Sequence, residues 1–267
     1  MPLNSTLKVA TLPLNIKWDD CEHNLMEVAS RLHTLAPDTD ILVLPEMFTS
    51  GFVKTPELLD AVSKYADATL ATIKGWSERN NVAIAGSFQV KEDGKTYNRA
   101  FFVEPSGETT IYNKRHLFCL SPESQLCAQG TQLPPVIRFR GWNISMIVCY
   151  DLRFPVWCRN DRQRYDILLV PANWPSSREY AWKHLLIARA IENQAIVVGA
   201  NRSGEDEYGN YNNTSFIMDY AGHVVAPKET PSDASEFIYA TFTKEELTKW
   251  RSKIPVFNDA DNFTVDI

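Results

Sequence analysis

The chain predicts an α/β fold in which mixed sheets carry helices on their outer faces. Short apolar runs of strand length alternate with segments of helical period. Two β-α-β-like halves each give way to antiparallel pairs. One pattern, Asp then an apolar run, Pro and a polar residue, occurs twice, in "DILVLPEMF" and "DILLVPANW". No Pro/Gly/Ser linker or low-complexity stretch interrupts the 267 residues, so a single domain over 1–267 is expected.

Taken in order, "LKVATLPLN" reads as the first strand. Cys21 to Leu35 carries Leu25, Val28, Leu32 and Leu35 on one helical face. "DILVLPEMF" has the unbroken apolar run of a strand covered on both faces. Pro56 to Asn80 reads as one helix, with Leu59, Val62, Leu70 and Ile73 turned inward. "VAIAGSFQV", "KTYNRAFFVEP" and "ETTIYNK" follow as strands joined at Glu92-Asp93-Gly94 and Pro105-Ser106-Gly107. The second half repeats the rhythm: strands "WNISMIVCYD" and "DILLVPAN", a helix from Tyr180 to Asn193, then strands "AIVVGANR", "TSFIMDYAG" and "FIYATF". A short helix from Lys244 to Lys253 closes the pattern.

Composition excludes some functions. The net charge is -6 with no basic stripe, which argues against a nucleic-acid partner. The five cysteines, Cys21, Cys119, Cys127, Cys149 and Cys158, contain no CxxC pair and no zinc-finger spacing, as expected of reduced thiols. "MPLNSTLKVATLPLN" lacks the charged-then-apolar layout of a signal peptide. No run approaches the ~18 apolar residues of a membrane span. A cytoplasmic location without membrane association is expected.

The chemistry concentrates where apolar runs stop. "ISMIVCYDLRFP" places a thiol, Cys149, where apolar residues give way to charge. Glu46 and Asn173 end the two repeated segments, and ligands of open α/β sheets bind beyond the carboxyl ends of strands. A reacting thiol needs a base and a donor for the oxyanion. Glu46 follows buried apolar residues, and burial raises a carboxyl pKa toward the range of a working base. Lys114, in "IYNKRHLF", is the cation candidate, expected to lower the thiol pKa. Each residue also has a structural reading: an inert core thiol, a strand-end acid bonded to backbone amides, a solvated lysine.

"LPEMF", "YNKRHLF" and "VCYDLRFP" resemble the three signature segments of the nitrilase superfamily of carbon–nitrogen hydrolases, in order and with fitting intervals. "ANWP" and "ARAIENQ" extend the resemblance, which runs from the first strand to about Phe242 and is closest in form to the omega-amidase branch. The resemblance implies a four-layer α-β-β-α sandwich with two mixed sheets. It also implies Cys149 as nucleophile, Glu46 as general base and Lys114 as oxyanion donor. The backbone N–H of Tyr150 would be a second donor, and Glu123, in "CLSPESQLCAQG", a supporting acid. Neither metal nor organic cofactor is implied. The partners are a small amide and, through a tail at about 254–267, a second subunit in a homodimer or higher homo-oligomer.

The implied reaction hydrolyses a primary amide through a thioester and releases ammonia, with 2-oxoglutaramate or 2-oxosuccinamate as substrate. Deaminated glutathione, N-carbamoyl amino acids and nitriles are the alternatives within the superfamily. Such carboxylate-bearing substrates need a cationic partner. Arg153 is the candidate, with pairing to Asp151 or another acid to brace the turn as its structural alternative. Phe48, Tyr150 and Trp174 are candidate walls, and Asn173 would orient ligand or loop. His116 neighbours Lys114 and reads as a possible partner of a thiol. His184 reads as a packed or capped helix residue, and Arg189 and Glu192 as an i,i+3 brace. Two rivals stand outside the superfamily: a papain-like pairing of Cys149 with His184 or His223, and a binding protein on the same scaffold.

Overall fold

The computed structural model describes residues 6–226 and 236–266. Residues 1–5, which hold part of the N-terminal stretch read for a leader, and residue 267 of the tail lie outside the described residues.

The first half runs β1 (Thr6–Thr11), α1 (Cys21–Leu32), β2 (Ile41–Val43), α2 (Pro56–Ser63), α3 (Ala66–Asn80), β3 (Ala83–Glu92), β4 (Lys95–Val103) and β5 (Thr109–Asn113). The second runs α4 (Glu123–Leu126), β6 (Ile137–Phe139), β7 (Trp142–Met146), a 3-10 turn at Cys149–Arg153, β8 (Ile167–Ala172), α5 (Glu179–Asn193) and β9 (Ile196–Asn201). A hairpin follows, β10 (Ser203–Asp206) and β11 (Gly209–Asn212), then β12 (Phe216–Met218), β13 (Val224–Ala226), β14 (Ile238–Thr243) and α6 (Lys244–Lys253).

The two large sheets have the same plan. One is ordered β14-β1-β2-β3-β4-β5, the other β13-β12-β9-β8-β7-β6. In each, three central strands are parallel (β1, β2, β3 and β7, β8, β9) and the flanking strands antiparallel. The twin "DIL" segments are the equivalent strands β2 and β8. Their aspartates do the same work: Asp40 Oδ2 accepts from Lys8 N at 2.8 Å and Asp166 Oδ2 from Asn143 N at 2.8 Å, each pinning a neighbouring strand.

Burial follows from this duplication. Inward residues of the first sheet (Val9, Val43, Ala85, Phe102) share a core with those of the second (Ile144, Met146, Leu169, Val198). The first sheet's other face (Leu42, Ile84, Phe101) is covered by Val28 and Leu32 of α1 and by Ile73 and Trp76 of α3. Trp182, Leu186 and Ala190 of α5 cover the second sheet. The order helix, sheet, sheet, helix is the four-layer sandwich the resemblance implies.

Most elements fall where the sequence predicts, and α6 does so residue for residue, capped by Thr243, whose hydroxyl accepts from Glu246 N at 3.3 Å. The helix read from Pro56 to Asn80 is two. Leu59 and Val62 of α2 join a small cluster with Cys21 and Val53, whereas α3 packs on the sheet, so one straight rod could not serve both. The strand read through Asp151 stops at Met146. Tail residues contact their own chain: Phe257 lies beneath the Arg159 guanidinium, and Asn262 accepts from Arg162. Ile254, Val256 and Phe263 remain exposed.

Candidate active site

Strands β2 and β8 end face to face across the sandwich. Glu46 N donates to Ala172 O at 3.4 Å, and Asn173 N donates back to Glu46 Oε2 at 2.9 Å. Beyond β7 the chain reverses at Cys149, whose φ of +45° lies in the left-handed region that non-glycine residues avoid. Asp151 enforces the reversal. It is fully buried and accepts from Val148 N (3.1 Å), Tyr112 Oη (2.8 Å) and His116 N (2.9 Å). Arg189 of α5 closes the turn from below by donating to Leu152 O at 2.7 Å. The turn, rather than the strand, aims the sulfur.

Around that sulfur lies a buried charge cluster. Lys114 Nζ donates to Glu46 Oε1 at 2.8 Å and to both carboxylate oxygens of Glu123, at 3.0 and 2.8 Å. Asn98 Nδ2 on β4 bridges the two acids, 2.8 Å from each Oε1. The Glu46 charge bears directly on the Cys149 thiol. Lys114 follows directly on β5, held by its own N–H to Asn98 O and by its carbonyl to Gly130 N, both 2.9 Å. Gly130 cannot be larger here, since a Cβ would fall 2.0 Å from Asn113 O.

Burial sets the protonation states. It pushes the Glu46 carboxyl above its ordinary value; Lys114 opposes and Glu123 reinforces the shift. Burial alone would depress the Lys114 ammonium, but Glu123 and then Glu46 outweigh it and hold the lysine well above its usual range. The Cys149 thiol is driven well above its ordinary value, first by burial and then by the Glu46 charge, with Lys114 opposing. Lys114 lowers the thiol pKa, as expected of it, but burial and Glu46 outweigh it, so the expected net fall is corrected to a rise. The resting sulfur is a protonated thiol beside a buried carboxylate.

A cleft opens onto Cys149 and Lys114. Tyr150, Arg153, Asn173 and Trp174 line it. Both side-chain polar atoms of Asn173 are buried without a hydrogen-bond partner. The Arg153 guanidinium lies 4.9 Å from the Trp174 ring centroid. Bracing by Asp151 does not occur, because that carboxylate is occupied by the donors above. Phe48 is not a wall: the left-handed turn at Met47 (φ +45°) sends it under the first sheet, 6.1 Å from Phe101. Phe52 takes a wall position instead, its ring packed edge-on to Tyr208 at 6.5 Å, and Tyr208 and Tyr211 of the β10–β11 hairpin also line the cleft.

The histidines serve structure. His116 Nδ1 sits 2.8 Å from Asp151 Oδ1, its ring stacked on Phe154 at 3.7 Å. His184 is exposed on α5 and stacks on Tyr180. His223 is 77% exposed and pairs with Asp219. Neither His184 nor His223 lines the cleft, so the papain-like pairing has no geometric basis. Arg189 and Glu192 form the expected brace at 3.0 Å. Asn98 and Arg178 escaped the sequence reading. A lone amide in "TYNRAFF" gives no local sign of the two acids it bridges across the fold, and Arg178 stands in an unremarkable polar run after "ANWP".

A buried thiol, a buried carboxylate and a buried lysine meet at the floor of a cleft on a four-layer sandwich. Comparison with known proteins gives the family of this fold. The profile of the carbon-nitrogen hydrolase family matches residues 8–252, and the chain belongs to that family. An omega-amidase, YafV, of Yersinia enterocolitica is 39% identical over 262 residues, covering 97% of this chain and 98% of the relative. A 2-oxoglutaramate amidase of Bacillus subtilis is 30% identical, covering 94% and 96%. The crystal structure of XC1258 from Xanthomonas campestris, a CN-hydrolase superfamily protein with an arsenic adduct in its active site, superposes with a TM-score of 0.90. Its sequence is 34% identical, covering 98% of this chain and 99% of that one.

Proposed function

We propose that the protein hydrolyses short primary amides bearing a carboxylate, as an omega-amidase acting on 2-oxoglutaramate or 2-oxosuccinamate. The observation that carries the reading is the buried trio Cys149, Glu46 and Lys114, with Lys114 Nζ 2.8 Å from Glu46 Oε1, at the floor of a cleft whose wall includes Arg153. The similarity to an omega-amidase and a 2-oxoglutaramate amidase supports the choice of substrate.

In this reading Glu46 takes the Cys149 proton as sulfur attacks the amide carbon. Because burial and the Glu46 charge disfavour a free thiolate, proton transfer accompanies attack. Charge on the carbonyl oxygen is met by Lys114 Nζ and the Tyr150 N–H; one such donor typically contributes about 3–4 kcal/mol. Protonated Glu46 then delivers its proton to the departing nitrogen, and ammonia leaves. The carboxylate next draws a proton from water as the water oxygen attacks the thioester carbon; the C–S bond then breaks, Glu46 returns that proton to the Cys149 sulfur, and the acid leaves. Glu123 and Asn98 keep Lys114 charged and Glu46 aligned. Arg153 grips the substrate carboxylate, for which a guanidinium offers two parallel hydrogen bonds. Tyr150 and Trp174 flank the acyl chain, and the unpartnered Asn173 amide meets a polar group of the substrate.

The reading extends to a single domain working as a homodimer in the cytoplasm. Apolar residues exposed on the tail, five free cysteines, and the lack of any helix among the described residues long and apolar enough to cross a membrane support it. Ammonia release should be compared for 2-oxoglutaramate, deaminated glutathione, an N-carbamoyl amino acid and a nitrile. The highest kcat/KM is expected on 2-oxoglutaramate. Preference for any of the other three would overturn the substrate assignment, and silence on all four would support a binding protein.

A further inference from the structure

The cleft that opens on Cys149 is lined by three cations, Lys114, Arg153 and Arg178, and by no aspartate or glutamate. Lys114 is neutralised from behind by Glu46 and Glu123. The two arginines are not: among the described residues neither takes part in an ion pair, and Asp151, the acid nearest Arg153 in sequence, is occupied by Tyr112, His116 and Val148. Each guanidinium rests on an aromatic wall of the cleft. Arg153 lies over Trp174, and Arg178 over Phe118 at 5.1 Å from the ring centroid. Trp174 links them mechanically, since the ring beneath Arg153 also donates from Nε1 to the Arg178 carbonyl at 2.9 Å.

Two guanidinium groups resting on aromatic faces of one cleft, neither ion-paired among the described residues, can converge on a single anionic group. Stacking also holds the planar forks in place, which reduces the conformational entropy lost when they bind a carboxylate. We propose that Arg178 is a specificity-determining residue, completing with Arg153 a two-guanidinium mouth that holds the carboxylate end of a short ω-amide while its amide end lies at Cys149. The inference rests on the amidase reading above and adds a second, independent grip on the anionic end, supplied by the turn that precedes α5.

The test compares succinamate with butyramide, a neutral amide of equal carbon count, on wild type, Arg178→Gln and Arg178→Lys. A charge-assisted hydrogen bond of ordinary strength corresponds to roughly a tenfold to hundredfold effect. Arg178→Gln is expected to raise KM for succinamate by about that factor with little change in kcat, to lose far less on butyramide, and to recover in part in Arg178→Lys. Equal losses on both amides would mark Arg178 as merely structural, and an unchanged KM for succinamate would remove it from recognition; either result overturns the inference. The two readings fail differently. A wild type indifferent to the carboxylate sinks the assignment of a carboxylate-bearing substrate and this inference with it. A wild type that prefers succinamate, with the preference intact in Arg178→Gln, sinks the Arg178 inference alone.

Discussion

Replacing Glu46 with glutamine separates two properties that simple accounts of thiol catalysis join. Glu46 accepts three hydrogen bonds, from Lys114 and Asn98 on Oε1 and from Asn173 N on Oε2, and its charge bears on the Cys149 thiol. Glutamine can keep its oxygen toward Lys114 and Asn98, but its NH2 then faces the Asn173 N–H. One buried donor is left without an acceptor, at a cost of about 1–3 kcal/mol. Lys114 retains Glu123, so the fold should survive. The Glu46 charge is the second-largest influence holding the thiol up, so its removal should lower the Cys149 pKa. Turnover should nevertheless fall by roughly 10² to 10⁴, the usual contribution of a general base. Iodoacetamide alkylation of Cys149 against pH reports the thiol, and ammonia release reports turnover. The expected pair is an alkylation profile displaced to lower pH together with near-complete loss of kcat. Retained turnover, or a profile displaced upward, would refute the assignment of Glu46 as base.

Four further outcomes follow from the same geometry. Glu46 must be ionised to accept a proton, and its pKa is raised, so kcat/KM should fall as pH drops through a value above the ordinary carboxylate range of about 4. Glu123→Gln removes a charge that reinforces the shift, so a pH–rate profile of that variant should show the acid limb moved to lower pH. Cys149→Ala and Cys149→Gly should both be inactive, but the left-handed φ makes glycine the more stable by about 1 kcal/mol in urea unfolding. Asp151→Asn cannot accept on both sides, so it should lose about 1–3 kcal/mol of stability and a large part of kcat, measured by the same unfolding experiment and by ammonia release.

Which parts of this site could be read from the chain depends on what local pattern each residue breaks. Glu46, Cys149 and Asn173 interrupt apolar runs, and a polar residue at a strand end is visible without knowing the neighbours. The duplicated "DIL" segments likewise announce equivalent strands, and the meeting of their ends across the sandwich follows once two sheets are stacked. Asn98 breaks a pattern too, but its value lies in two acids 52 and 25 residues away, which only folding brings near. Glu123 sits on a four-residue helix in a loop, where no periodicity marks a side chain as buried. Phe48 was misplaced because a single left-handed residue, Met47, reverses which side the next side chain faces. The β10–β11 hairpin, "SGEDEYGNYN", carries almost no apolar alternation, so its tyrosines gave no sign of roofing a cleft.

The most direct measurement is the intact mass of the protein quenched in acid during turnover of 2-oxoglutaramate. Covalent chemistry at the sulfur predicts a population heavier by one acyl group, mapped to the peptide containing Cys149 and absent from Cys149→Ala. Unmodified protein under steady turnover, with ammonia still released by Cys149→Ala, would contradict it.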